Sequence, residues 1–193
     1  VSLRSGGGAG DLIAVGDVVY CPHRRRHRAV TARLKKESTV EDLTAERIAR
    51  LRDLLPGTGC DTLLVLVGEN RRYLSGFTGE DTQFDESAGA LLITATDLIL
   101  ATDSRYARQA SDEAPLYTTV CYKKSLADEL PDILTRLGTK ALAFESVRLT
   151  VLQHRKLSDA IAAAGLTVTL TPTAEVVEQL RAKKSEPEID TLR

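Results

Sequence analysis

The chain contains no methionine and no tryptophan among its 193 residues, and only three cysteines, three histidines and three phenylalanines. Each shortage excludes something. Cys21, Cys60 and Cys121 are odd in number and widely spaced, so they read as free thiols in a reducing compartment rather than as a disulfide framework. His23, His27 and His154 give no His-Glu-x-x-His or similar metal-binding spacing. No apolar run approaches the roughly 18 residues that a membrane span needs. Leu12 to Val19 is too short for a secretory signal, is broken by Gly16-Asp17, and has its basic cluster on the wrong side. A cytoplasmic protein without a membrane partner is the expectation. The missing initiator methionine reads as a processed chain or a piece of a longer one.

The formal charge of −1 hides an asymmetry. Residues 1–36 hold eight Lys/Arg against Asp11 and Asp17, a balance of +6, whereas the remainder carries −7. The larger part is mildly acidic, which argues against a nucleic-acid partner. Residues 1–40 read as a basic flexible leader: Ser5-Gly-Gly-Gly-Ala-Gly10 is linker-like, and Cys21-Pro-His-Arg-Arg-Arg-His-Arg28 lacks apolar periodicity. Cys21, His23 and His27 make a poor metal site among repelling arginines with no fourth ligand nearby. The arginines suit an anionic surface as an alternative, and a disordered or expression-derived leader is the preferred reading.

From Thr44 onward helical and extended signals alternate. Ile48, Leu51, Leu54 and Leu55 share a helical face, Glu46 and Arg50 are spaced as an i,i+4 pair, and Pro56-Gly57 stops the helix. Thr62 to Val67 reads as a fully buried strand. Tyr73 and Leu74 read as the end of an extended segment that Ser75-Gly76 breaks. Ala90 to Thr94 and Leu98 to Ala101, joined by Ala95-Thr96-Asp97, form a hairpin pattern. A short helix over Arg105 to Ser111 and a strand over Tyr117 to Cys121 follow. Ser125 is placed to cap a helix ending at Gly138, with Pro131 set to kink or split it. Lys140 to Phe144 is a strand, and Thr150 with Gln153 forms a capping box for a helix ending at Gly165. Thr167 to Thr171 is a further strand, Glu175 to Lys184 is helical, and Ser185 with Glu188 opens another capping box. This order implies an α/β architecture with a mixed sheet.

Three segments carry a family resemblance. Asn70-Arg-Arg-Tyr-Leu-Ser-Gly-Phe77, the hairpin, and Ala101-Thr-Asp-Ser-Arg-Tyr106 together resemble the N-terminal domain of the creatinase, prolidase and Xaa-Pro aminopeptidase family, the pita-bread metallopeptidases. The resemblance implies a creatinase N-terminal-domain-like, ribonuclease-H-like mixed sheet with helices on both faces. It covers about Thr44 to Arg193, with the domain expected over 41–180. Leu180-Arg-Ala-Lys-Lys-Ser-Glu-Pro-Glu-Ile189 is similar to the start of the family's catalytic domain, so 181–193 reads as a linker into a domain lying beyond this chain. The resemblance places two divalent metal ions, manganese or cobalt, in that absent domain, on two aspartates, a histidine and two glutamates. Bridging carboxylates there would generate a hydroxide for attack on a peptide carbonyl.

Within the chain itself chemistry is scarce. His154 sits at the edge of an apolar helical face, where a half-buried histidine is the ordinary outcome. Ser75 lacks a Gly-x-Ser-x-Gly elbow and a histidine close in sequence. No catalytic or metal-binding residue is expected. The loop Thr78 to Gly89 is the functional candidate, because it exceeds what chain reversal needs and gathers Glu80, Asp81, Asp85 and Glu86 around Phe84. By resemblance such a loop reaches a neighbouring subunit's active site, where acidic groups would attract a peptide's ammonium terminus and Phe84 would cover its side chain. The plain reading is a solvated acidic loop. Asp103 and Arg105 are expected to form a structural ion pair at a helix start; alternatively Arg105 points across a dimer.

The family implies a non-catalytic domain of a Xaa-Pro aminopeptidase or dipeptidase, inactive alone. Its expected partners are a second copy of the parent enzyme, its own C-terminal catalytic domain and short proline-containing peptides. Alternatives are a creatinase-like amidinohydrolase domain or a peptidase-dead module that binds proteins.

Overall fold

The computed structural model describes residues 31–81, 87–184 and 189; over 31–40 it describes the backbone. The leader residues Cys21, His23 and His27, the loop residues Phe84, Asp85 and Glu86, and the Ser185/Glu188 capping box lie outside the described residues.

Six strands form one mixed sheet. They are β1 (Thr62–Val65), β2 (Ala90–Thr94), β3 (Leu98–Thr102), β4 (Thr118–Cys121), β5 (Ala141–Glu145) and β6 (Thr169–Thr173), in the spatial order β4-β3-β2-β1-β5-β6. Only β2 runs against its neighbours, pairing antiparallel with β1 and β3, while all other pairings are parallel. The helices are α1 (Thr31–Leu54), α2 (Gly68–Ser75), α3 (Ala107–Glu113), α4 (Leu126–Leu137), α5 (Val151–Ala163) and α6 (Val176–Ala182).

The continuous apolar runs of the central strands follow from burial on both faces. Alternate side chains point to opposite sides. Leu63, Val65, Leu91, Ile93 and Leu100 join Ile48 and Leu51 of α1, Leu74 of α2, Ala110 of α3 and Val177 of α6 in one core. Leu64, Leu92, Ile99 and Phe144 face the other way and meet Leu130, Ile133 and Leu134 of α4 with Leu157 and Ile161 of α5. Burying each such leucine contributes roughly 1.5–3 kcal/mol. The edge strand β6 is less covered, and it carries exposed Pro172, which a central strand would not accept.

Most local expectations match their elements. The Glu46–Arg50 pair closes at 2.5 Å, and a 3-10 turn at Leu55–Thr58 follows α1. α1 starts at Thr31, well before Thr44. Ser125 caps α4 by accepting the Asp128 N–H, and Thr150 with Gln153 makes a reciprocal capping box on α5. Pro131 does not split α4, which runs unbroken to the left-handed Gly138. β6 lies two residues later than expected. His154 is half-buried with its ring centroid 5.2 Å from that of Phe144.

The largest correction falls on the Asn70–Phe77 motif. Tyr73 and Leu74 lie in the helix α2, and Gly76 at φ 80 terminates it by donating its N–H to Arg72. The cause lies in which residues α2 buries: Asn70, Arg71, Leu74 and Ser75. Three of the four are polar, so the helical period is absent from the hydrophobic pattern. Left-handed glycine just after the last helical residue is the usual helix stop.

Candidate functional site

All five parallel strands deliver their C-terminal ends to the same edge of the sheet, the edge at which open α/β sheets form ligand crevices. Three features meet there: the 78–89 segment between α2 and β2, the turn after β3, and the charged end of β5.

Arg71 organises the first. Its side chain is wholly buried. Nη1 donates to the Gly89 carbonyl at 2.8 Å and to Ser87 Oγ at 3.2 Å. Nη2 donates to the Gly79 carbonyl at 2.7 Å and to Asp81 Oδ1 at 2.9 Å. One guanidinium thereby ties together both ends of the loop. The planar fork of arginine suits such multiple contacts better than a lysine ammonium would. Asp81 completes the clamp by accepting the Ala88 N–H at 2.8 Å and by pairing with Arg148 at 3.4 Å. The Thr78 N–H and hydroxyl both donate to the Glu113 carboxylate on α3.

Two glycines permit this closeness. A Cβ on Gly79 would lie 2.3 Å from the ring of buried Phe77, and one on Gly89 would lie 2.9 Å from the Ala101 carbonyl oxygen. Gly89 thus permits a close backbone approach, and the neighbouring carbonyl belongs to β3.

Glu145 ends β5 and is buried. Its carboxylate accepts the N–H groups of Leu66 and Val67 and the Asn70 amide, each at 2.6 Å. Burial pushes its pKa above the ordinary carboxylate value, and the hydrogen bonds oppose that shift. Asn70 also donates to Glu178 at 2.7 Å and accepts from Arg181 at 2.8 Å, so it joins α2 to β5 and to α6. Asp103 and Arg105 pair at 2.7 Å, and hydrogen bonding from Arg105 holds the Asp103 carboxyl below its usual range.

The expected site residues are therefore placed unequally. Asp81 is committed to Arg71, Arg148 and the Ala88 amide. Glu80 is exposed, and Arg105 is exposed beside Asp103 and over the Tyr106 ring. Ser75 is buried, donating to the Arg71 carbonyl and accepting the Phe77 N–H. Arg71, Glu145 and Arg148 were not anticipated. A signal existed for Glu145, a carboxylate directly following an apolar strand at the edge where such sheets hold their sites. Nothing in the sequence pattern singled out Arg71 from Arg72.

Among the described residues no group of three His, Cys, Asp or Glu side chains is arranged to hold a metal, and no helix is long and apolar enough to cross a membrane. Sheet, clamp and loop together define an α/β domain that presents a loop from a charged strand edge.

Comparison with known proteins names the class further. The chain belongs to the Creatinase/Prolidase N-terminal domain family, whose model matches residues 47–183. It is 33% identical over 146 residues to the uncharacterized peptidase YqhT of Bacillus subtilis (strain 168), covering 76% of this chain and 38% of that protein. The Xaa-Pro dipeptidase from Bacillus anthracis aligns with a TM-score of 0.67 and 32% identity over 76% of this chain and 38% of its own. The N-terminal domain of the cytoplasmic peptidase PepQ from Mycobacterium tuberculosis H37Rv aligns at 0.61 and 33% identity, over 70% of this chain and 98% of that domain. The chain thus spans 38% of the length of the longer relatives.

Proposed function

We propose that this chain is the non-catalytic N-terminal domain of a Xaa-Pro peptidase, where it serves dimer formation and restricts access to the active site. The observation that supports this most is the Arg71 clamp, which fixes both ends of the 78–89 loop to a buried strand edge. A loop mounted so firmly can act as a wall, excluding long peptides by clash without adding chemistry. Glu80, Phe84, Asp85 and Glu86 are the proposed substrate-facing groups, with Arg105 beside them and Asp81 as an anchor. The metals, manganese or cobalt, and the hydrolysis of the bond preceding proline belong to a following catalytic domain. A cytoplasmic location fits the same reading.

The isolated chain is expected to give no turnover of Xaa-Pro dipeptides with manganese or cobalt added. In a peptidase carrying this domain, Glu80→Gln is expected to raise KM with kcat little changed, because it removes attraction rather than a reacting group. Hydrolysis by the purified chain, or an unchanged KM for every loop variant, would contradict the proposal.

A further inference from the structure

A cavity lies on the same edge of the sheet, and the loop clamp leaves it unexplained. It measures about 350 Å³ and opens between the start of α4 and the start of α5, beside the ends of β3 and β4. Its floor is apolar, formed by Leu66, Leu126, Leu149 and Leu157. Its rim is cationic, with Arg105, Lys124, Arg148 and Lys156 set against Asp103, the one carboxylate among the described lining residues.

Those charges are not equally available. Asp103 is already held by Arg105, and Arg148 already faces Asp81. Lys124 and Lys156, both exposed, make no ion pair or hydrogen bond among the described residues. Asp128, on the first turn of α4, receives the Ser125 hydroxyl at 2.6 Å. Among the described residues, two cations therefore border an apolar hollow without a matching anion.

Two other features carry the same sign. α4 and α5 both place first-turn residues, Leu126, Ala127 and Gln153, on the cavity, so the positive ends of two helix dipoles lie near it. Tyr122 also lines the cavity, and its hydroxyl has no partner among the described residues. Burial, reinforced by the charge of Asp103, pushes that phenol up to about 12, so it stays protonated and able to donate.

We propose that this cavity binds a small amphiphilic carboxylate, an organic acid whose head lies between Lys124 and Lys156 and whose apolar body covers Leu126, Leu149 and Leu157. The floor decides against a bare phosphate, which would leave the leucines uncovered. The unpaired cations are lysines, which hold an anion as point charges. The proposal does not rest on the peptidase reading, although Ser87, Arg105 and Arg148, which line the cavity, also border the loop and its clamp.

The test is a titration of the isotope-labelled chain followed by amide NMR, with N-acetyl-L-leucine, hexanoate, N-acetyl-L-leucine amide and inorganic phosphate as probes. N-acetyl-L-leucine or hexanoate should shift amides of residues 122–127 and 149–157 saturably, and the tighter of the two identifies an acylamino acid or a simple fatty acid. The neutral amide should bind at least about tenfold more weakly, as should the carboxylate to a Lys124→Ala/Lys156→Ala variant, the scale of losing one charge-assisted contact. Both lysines are exposed, so the variant should keep the parent's melting temperature. Equal binding of the amide, phosphate binding as tightly as the carboxylates, unchanged affinity in the variant, or no shifts in these segments would each overturn the proposal.

Discussion

The two ends of the sheet are built on different principles. At the C-terminal edge, Arg71 and Glu145 are buried charges held by several partners each, and Asp81 and Arg148 join them. At the opposite edge the connections are short, and the charged groups there each serve one crossing: Asp61 accepts the Lys140 and Ala141 N–H groups, and Arg52 donates to the Thr94 carbonyl. Thr94 Oγ1 accepts the N–H groups of Thr96 and Asp97 in the hairpin turn, and the Thr62 and Thr139 hydroxyls meet at 2.8 Å. Returning the chain needs only one or two hydrogen bonds at each crossing. Holding a longer segment against a strand edge needs a group that reaches several carbonyls at once, and a buried guanidinium does so at a desolvation cost. The contrast teaches that the charged edge is built to present something, whereas the other edge merely returns the chain.

Removing the clamp should show the contrast most strongly. Arg71→Ala leaves the Gly79 and Gly89 carbonyls and the Asp81 carboxylate without their buried donor, at a cost of about 3–5 kcal/mol. Chemical denaturation of wild type and variant measures it. Arg71→Lys should recover part of the loss, because an ammonium supplies charge without the fork.

Paired glycine substitutions give a smaller effect of the same kind. Gly89→Ala forces a methyl to 2.9 Å from the Ala101 oxygen and should destabilise by about 1–3 kcal/mol. Gly57→Ala, before the start of β1, meets nothing within 4 Å and should stay within about 0.5 kcal/mol of the parent. Equal costs at the two positions would erase the distinction between the edges.

The surface pair after β3 should matter least. The folded Asp103 pKa is depressed, so any stability from its pair with Arg105 is present above the unfolded pKa and lost as pH falls through the folded one. The pair is solvent-screened, and Asp103→Asn should flatten the acid limb of the stability curve by no more than about 1 kcal/mol.

Legibility in the sequence followed the same division. Strands β1, β2, β3 and β5 are visible because burial on both faces makes continuous apolar runs, and the α4 and α5 caps because Ser125 and Thr150 sit three residues before the amides they serve. The family is visible in Asn70–Phe77 and Asp103–Tyr106, yet the pattern predicts extended chain where α2 lies, because the helix buries Asn70, Arg71 and Ser75 around one leucine. The charged edge stayed hidden for a related reason. Arg71 meets partners 8 to 18 residues away, and Glu145 meets Leu66 and Asn70 more than 70 residues away. No local pattern encodes such pairings. The loop Thr78 to Gly89 was legible as a candidate from its length and acidity, but the split between an anchoring Asp81 and an exposed Glu80 required the fold.

Amide hydrogen exchange on wild type and Arg71→Lys tests most directly whether the charged edge is a mount for the loop. The account predicts that the Ala88 N–H, held by Asp81, and the Thr78 N–H, held by Glu113, are protected in the wild type. In the variant the Ala88 amide should exchange faster while the β2 and β3 amides beyond Leu91 and Leu98 keep their protection. Unchanged protection at Ala88, or loss spread evenly through β2 and β3, would contradict it.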